Sequence, residues 1–326
     1  MPQIHRAERN RTLTLSENER VHYAKALRRL SATVSMSDLE NQILHHDLFD
    51  VLDFLPERFV SLLILDPPYN LTKSFNGTVF EARTTSEYIQ YLESWLPKLM
   101  KTLKPTASVY VCGDWRMSGA LQLVLEKYLI VRNRITWERE KGRGAMSNWK
   151  NCSEDIWFCT VSNNYVFNAD AVKLKRRVLA PYREDGLPKD WEETEDGNFR
   201  LTAPSNLWTD ITVPFWSMPE NTDHPTQKPE KLIAKLILAS SSEGDLVFDP
   251  FLGSGTTAVV AKKLGRRFVG IEKEEYYACL AAKRLELAAQ DKTIQGYENG
   301  VFWERNSLSA QKKAGKSKSP QYPQIF

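Results

Sequence analysis

The apolar residues of this chain repeat with two different periods, and the two alternate along the sequence. Short β-type runs such as Val60–Leu65 and Leu246–Phe248 have the length of buried strands. Longer stretches return to apolar residues every three or four positions, as at Tyr88, Tyr91, Leu92, Trp95, Leu96 and Leu99, and at Leu232, Ile233, Leu236 and Ile237. The spacing predicts strands at Gln42–His45, Val60–Leu65, Ala107–Cys112, Ile130–Trp137, Leu246–Phe248 and Arg267–Ile271. It predicts helices at Leu48–Leu55, Ser86–Leu103, Ser118–Tyr128, Pro229–Ser240, Thr256–Leu264 and Tyr276–Ala289. Such alternation specifies an α/β fold, a mostly parallel sheet covered by helices on both faces. A chain of 326 residues with 42% hydrophobic content is long enough for one large domain with an insertion, or two modest domains.

The rhythm fails at Glu138–Asn221, which is rich in charge, Pro, Asn and Trp and too long for an ordinary loop. It is expected to be an inserted recognition region. The expected boundaries are a polar N-terminal extension at 1–36, a first core half at 37–137, the insertion at 138–221, a second core half at 222–290 and a basic tail at 291–326. Mean hydropathy of −0.45 and the lack of a long apolar run argue against a membrane span. Met1–Arg11 lacks the apolar segment of a secretory signal, and a cytoplasmic protein is expected. Cys112, Cys152, Cys159 and Cys279 have neither metal-ligand spacing nor the pattern of a small disulfide framework, so reduced core thiols and no metal are expected.

Two predicted strands end in unusual turns. Val60–Leu65 runs into Asp66-Pro67-Pro68-Tyr69, where two prolines forbid helix and remove two backbone donors. An acid, free carbonyls and a phenol are thus presented at the strand end, where open α/β sheets bind ligands. A carboxylate and a carbonyl can both accept from an –NH2 group, while the ring stacks on the base that carries it. The second turn is Asp249-Pro250-Phe251-Leu252-Gly253-Ser254-Gly255-Thr256-Thr257. Its glycines let backbone approach a ligand just before a helix N-terminus. No Gly-Lys-Ser/Thr follows, so it is not a P-loop, and Thr257 and Ala258 break the dinucleotide Gly-x-Gly-x-x-Gly pattern. Glu272, 17 residues after Gly255 at the end of the next strand, is placed to accept from ribose hydroxyls. Turn and acid together favour an adenosine-containing ligand.

Three strings, Asp66–Tyr69, His224-Pro225-Thr226-Gln227-Lys228-Pro229 and Asp249–Thr257, resemble the amino DNA methyltransferases of the S-adenosylmethionine-dependent superfamily. Their order resembles that family's beta group, which is circularly permuted: catalytic motif, recognition region, cofactor motif. The resemblance covers about residues 37–290. It implies a Rossmann-like fold with a seven-stranded, mostly parallel sheet, and S-adenosylmethionine as methyl donor. It implies that Asp249, Phe251, Gly253, Ser254, Gly255 and Thr256 wrap the donor, with Glu272 on the ribose and Asp47 and Leu48 at the adenine ring. Thr226, Gln227 and Lys228 would lie beside its methionine end, and Asn206 and Trp208 near it. Asp66, Pro67, Pro68 and Tyr69 would hold the target base, with adenine N6 favoured over cytosine N4 because the cytosine members more often carry Ser at the Asp66 position.

Double-stranded DNA is the implied partner. Net charge of +3 says little, but Arg139, Arg143, Trp149, Lys150, Lys173, Lys175, Arg176 and Arg177 are candidates for phosphate and groove contacts. More basic residues gather at the ends, at His5–Arg11 and Lys312–Lys318. A cognate restriction endonuclease and a homodimeric state are left open. Three other readings compete: methylation of RNA or a protein glutamine, a catalytically silent DNA-binding subunit, and a generic nucleotide-binding protein.

Overall fold

The computed structural model describes residues 9–70, 73–75, 78–80, 83–139, 147–178, 182–195, 197–305 and 307. The strands of its main sheet are β1 (Gln42–His45), β2 (Val60–Leu65), β3 (Leu103–Gly113), β4 (Ile130–Glu138), β5 (Ser153–Thr160), β6 (Leu207–Trp208), β7 (Leu246–Asp249) and β8 (Arg267–Glu272). They lie in the order β1-β8-β7-β2-β3-β5-β4-β6. All neighbours are parallel except β5, which runs against both β3 and β4. The sheet therefore has eight strands, not the seven implied by resemblance. The additional one is the two-residue β6 beside Thr136 and Trp137, held by the Thr136 N–H donating to the Asn206 carbonyl at 2.8 Å.

The longer helices are α1 (Glu17–Ala24), α2 (Thr85–Met100), α3 (Ser118–Tyr128), α4 (Glu230–Ser240), α5 (Thr256–Lys263) and α6 (Glu275–Gln290). Two apolar cores form, one on each face of the sheet. Leu62 and Ile64 pack toward α4, α5 and α6, whereas Leu63 and Leu65 pack toward α2 and α3. This is the two-residue side-chain period of a strand, hidden in the sequence because both faces are buried. Val60 joins the Leu63 face because a register irregularity between Val60 and Leu62 shifts the alternation.

A second sheet runs Glu192–Thr194, Gly197–Thr202, Leu174–Arg177, Val301–Trp303, Tyr297–Glu298. Every residue of α4 is buried, with main-sheet residues and Phe302 in the same core. Two of those residues are lysines, and a buried ammonium needs a partner. Both Lys231 and Lys235 find Asp210, each at 2.7 Å.

Three boundaries differ from expectation. Ser153–Thr160, expected in the insertion, is a central strand whose acidic start hid it: Glu154 and Asp155 are buried because partners satisfy them. Asp155 accepts from Ser118 and Thr136, at 2.8 and 3.0 Å. Residues 297–303, expected in a tail, close the second sheet through parallel pairing of Phe302 with Leu174. The described part of the N-terminal extension is docked: Leu30 is buried, and α1 lies on α6 through Arg20–Glu275 at 2.8 Å and a Glu19–Lys283 pair.

Candidate active site

β2 and β7 are hydrogen-bonded neighbours, with Val247 opposite Leu62 and Phe248 opposite Leu63. Parallel pairing brings their carboxyl ends together, so the Asp66 and Asp249 turns are neighbours despite the length of chain between them. One cavity is lined by Asp66, Thr226, Gln227, Lys228, Asp249, Phe251, Gly253, Ser254 and Thr256, nine residues expected from the sequence. It is also lined by Cys112, expected only as a core thiol, and by His224, which opens the His224–Pro229 string but had been given no role.

The glycine turn is shaped from within. The Asp249 carboxylate accepts from the Phe251 N–H at 2.9 Å and from the Thr257 hydroxyl at 2.6 Å, folding the loop over its own strand. Burial pushes the Asp249 carboxyl up to about 7. Gly253 and Gly255 have φ of 54° and 87°, the left-handed region that other residues avoid. Beneath the loop the buried Arg284 donates to the Ser254 carbonyl at 2.8 Å and the Thr256 hydroxyl at 3.0 Å, and meets Glu230 at 3.1 Å. Glu220, also buried, accepts from the Glu230 N–H at 2.7 Å; burial first and Glu230 second push its carboxyl up to about 7.

Glu272 tests the fit of an adenosyl ligand. Its two oxygens accept from the N–H groups of Gly253 at 2.7 Å and Glu274 at 2.8 Å. A carboxylate offers about four lone-pair positions, so acceptor capacity remains for a ribose diol beside the turn. Burial raises the Glu272 carboxyl, and those N–H donors oppose the shift. Asp47 sits next door because β1 pairs with β8; it caps the Leu48–Val51 helix and meets Lys273 at 2.8 Å. A side chain on Gly253 would place Cβ 3.0 Å from the His224 ring, at a positive φ, so glycine spares both strain and a shift of that ring. These residues fit the group implied by resemblance.

The Asp66 corner differs from its expected makeup. Lys228 donates to Asp66 Oδ2 at 2.7 Å and to the Tyr69 hydroxyl at 3.1 Å. Lys228 also lies 3.4 Å from Glu154 Oε2, which accepts from the Tyr69 hydroxyl at 3.2 Å. Arg139 pairs with the other Glu154 oxygen. Burial would lower the Lys228 ammonium, but the Asp66 and Glu154 carboxylates outweigh it and hold it above the ordinary lysine range. Burial, then Asp66 and Glu154, push the Tyr69 phenol well up, so it stays protonated. Burial and Asp66 do the same to the Cys112 thiol, which is no nucleophile here. Burial and the Lys228 and Arg284 charges push His224 down to about 4.

Glu154 was missed because an acid at the start of an apolar run resembles a solvated strand edge. Only its partners, distant in sequence, identify it. Gln227 lines the cavity, yet its amide is also a loop staple: it accepts from Thr222 and donates to the Glu220 carbonyl at 2.8 Å. Asn206 and Trp208 lie at β6 on the sheet edge, four strands from β2, away from where resemblance put them.

The surface candidates divide. Trp149 is 94% exposed and Lys150 is exposed, whereas Arg139 turns inward to Glu154. Lys173, Lys175 and Arg176 have acidic neighbours in Asp170, Glu192 and Glu304, at 2.7, 3.9 and 3.9 Å. Arg177 is exposed on the same strand. Arg143, His5, Arg6 and the Lys312–Lys318 cluster lie outside the described residues.

A family model described as DNA methylase matches residues 60–283. The DNA adenine methyltransferase YhdJ of Escherichia coli (strain K12) is 33% identical over 254 residues, covering 76% of this chain and 83% of that protein. The type II methyltransferase M.HpaI of Haemophilus parainfluenzae is 31% identical over 251 residues, covering 76% of this chain and 75% of that protein. Among solved structures, the cytosine-N4-specific PvuII DNA methyltransferase shares the fold with a TM-score of 0.54 and 19% identity, covering 84% of this chain and 96% of that one.

Proposed function

This chain belongs to the DNA methylase family of N6 and N4 amino methyltransferases, and we propose that its target is the N6 amino group of adenine in double-stranded DNA. S-adenosylmethionine is its methyl donor, supplying a methyl group activated by a positively charged sulfur. The observation that carries the adenine reading is the Asp66 carboxylate in the shared cavity, on a sequence 33% identical to an adenine methyltransferase.

The rest of the mechanism follows from what the residues can do. An exocyclic amine is unreachable inside a duplex, so the target base must rotate out of the stack. Tyr69 offers a ring anchored at its hydroxyl by Lys228 and Glu154, so the plane on which the base stacks is set before the base arrives. The amine is a poor nucleophile because its lone pair is delocalised into the ring. Asp66 and the Pro67 carbonyl accept its two hydrogens, rehybridise the nitrogen and aim the lone pair at the donor. Positioning and charge placement provide most of the acceleration. Gly253, Ser254 and Glu272 would hold the donor's nucleoside end, with Asp47 beyond them.

Expression in a host without DNA methylation, followed by sequencing for modified bases, tests the assignment. N6-methyladenine at a defined sequence is expected. N4-methylcytosine would reverse the choice of base, and unmodified DNA would refute the activity. Lys150 and Trp149 are proposed to contact the DNA backbone. Lys150→Ala should weaken binding to all sequences alike and lower the slope of log affinity against log salt by about 1. An unchanged slope in a salt titration would remove Lys150 from the interface.

A further inference from the structure

We propose that Lys228 is a positioning residue for methyl transfer: its ammonium, steadied by Glu154, fixes both side chains that grip the target amine, Asp66 and Tyr69. The inference rests on the amine-holding role assigned above to Asp66. It departs from the role implied by family resemblance, in which Lys228 sits beside the methionine end of the donor.

The geometry is that of a hub. A lysine ammonium has three N–H donors, and three oxygens surround Lys228: Asp66 Oδ2 at 2.7 Å, the Tyr69 hydroxyl at 3.1 Å and Glu154 Oε2 at 3.4 Å. The Lys228 side chain is only 9% exposed, and taking an ammonium out of water costs several kcal/mol, so this placement is maintained by its partners. The bond to Asp66 engages one oxygen and leaves the other to accept from the base. The bond to Tyr69, together with that from Tyr69 to Glu154, fixes the phenol at its far end. One cation therefore orients the acceptor and the stacking platform together. The arrangement depends on the antiparallel β5, whose start carries Glu154 to the end of the sheet where β2 finishes.

Charge gives Lys228 a second duty. The groups facing Asp66 include Lys228, Glu154, Tyr69, Cys112, Asp249 and the Tyr88 phenol of α2, with Arg139 behind Glu154. Lys228 and Arg139 balance Asp66 and Glu154. Without Lys228, two carboxylates share a buried cleft with less compensation, and like charges favour the protonated form. The charge balance that keeps Asp66 an acceptor for one hydrogen of the amine would be lost.

The test measures methyl transfer to unmethylated genomic DNA and cofactor affinity by direct titration with S-adenosylmethionine, using the full chain. Lys228→Met should lower kcat about 100-fold with both substrates saturating, while cofactor Kd changes by less than about threefold. Lys228→Arg, which restores the cation, should recover about tenfold of the loss. Should Lys228→Met fail to fold, Glu154→Gln takes its place, with about a tenfold fall in kcat at unchanged cofactor affinity expected. A variant with normal kcat and weakened cofactor binding overturns the inference in favour of the methionine-end role. Asp66→Ala run in parallel separates the two levels: an active Asp66→Ala protein sinks the underlying reading, whereas an inactive one beside a fully active Lys228→Met sinks only the role of Lys228.

Discussion

Replacing Asp66 with alanine is expected to lower methyl transfer by about a thousandfold while leaving cofactor affinity near its original value. The loss is large because nothing else in the corner can take over. Glu154 is the nearest alternative carboxylate, but its oxygens are committed to Arg139, Tyr69 and Lys228. The cofactor side should be spared because the groups proposed to hold it, the glycine turn and Glu272, are anchored independently through Asp249, Thr257 and Arg284. Removing one partner of a buried ion pair by itself costs about 3–5 kcal/mol, but Lys228 keeps Glu154 and the Tyr69 hydroxyl, so the protein should remain folded. Initial rates with labelled donor, beside a cofactor titration, check both halves. Activity surviving in Asp66→Ala would mean the amine is held elsewhere.

Gly255→Ala should destabilise the protein by about 3 kcal/mol and abolish cofactor binding at ordinary concentrations. The residue has φ of 87°, where a side chain is strained. A Cβ would lie 2.5 Å from the Ala281 Cβ and 2.9 Å from its Cα. That obstacle is α6 itself, pinned to the same loop by Arg284, so neither side can give way cheaply. Gly119→Ala is the control, an exposed α3 position with nothing within 4 Å of the added carbon. Alanine there should stabilise by about 0.5–1 kcal/mol. Thermal melting of the two variants should move in opposite directions. Equal melting temperatures for Gly255→Ala and the parent would show that the turn is not as tightly packed as its geometry implies.

The positions of strands and helices were legible because local periodicity carries them. Ser118–Tyr128 is found with its expected ends, and Thr85–Met100 and Glu275–Gln290 differ from expectation by a few residues. The strand β5 escaped because Glu154 and Asp155 disguise its buried start, and their compensation comes from residues far along the chain. The ion pair of Arg139 was hidden in the same way. A basic residue in a basic stretch looks like a phosphate contact until its partner, Glu154, is known. Residues 297–303 looked like the beginning of a tail since a three-residue strand has too few side chains to show a period.

What the sequence determined by itself was the α/β class and the two strand-end turns, because proline, glycine and a two- or four-residue apolar repeat act over a few neighbouring residues. Only the tertiary structure decided that Lys228 and Glu154 belong to the Asp66 corner. Their union is made by strand order and by one reversed strand, and the Coulomb energy that holds it depends on burial that no short window of sequence expresses.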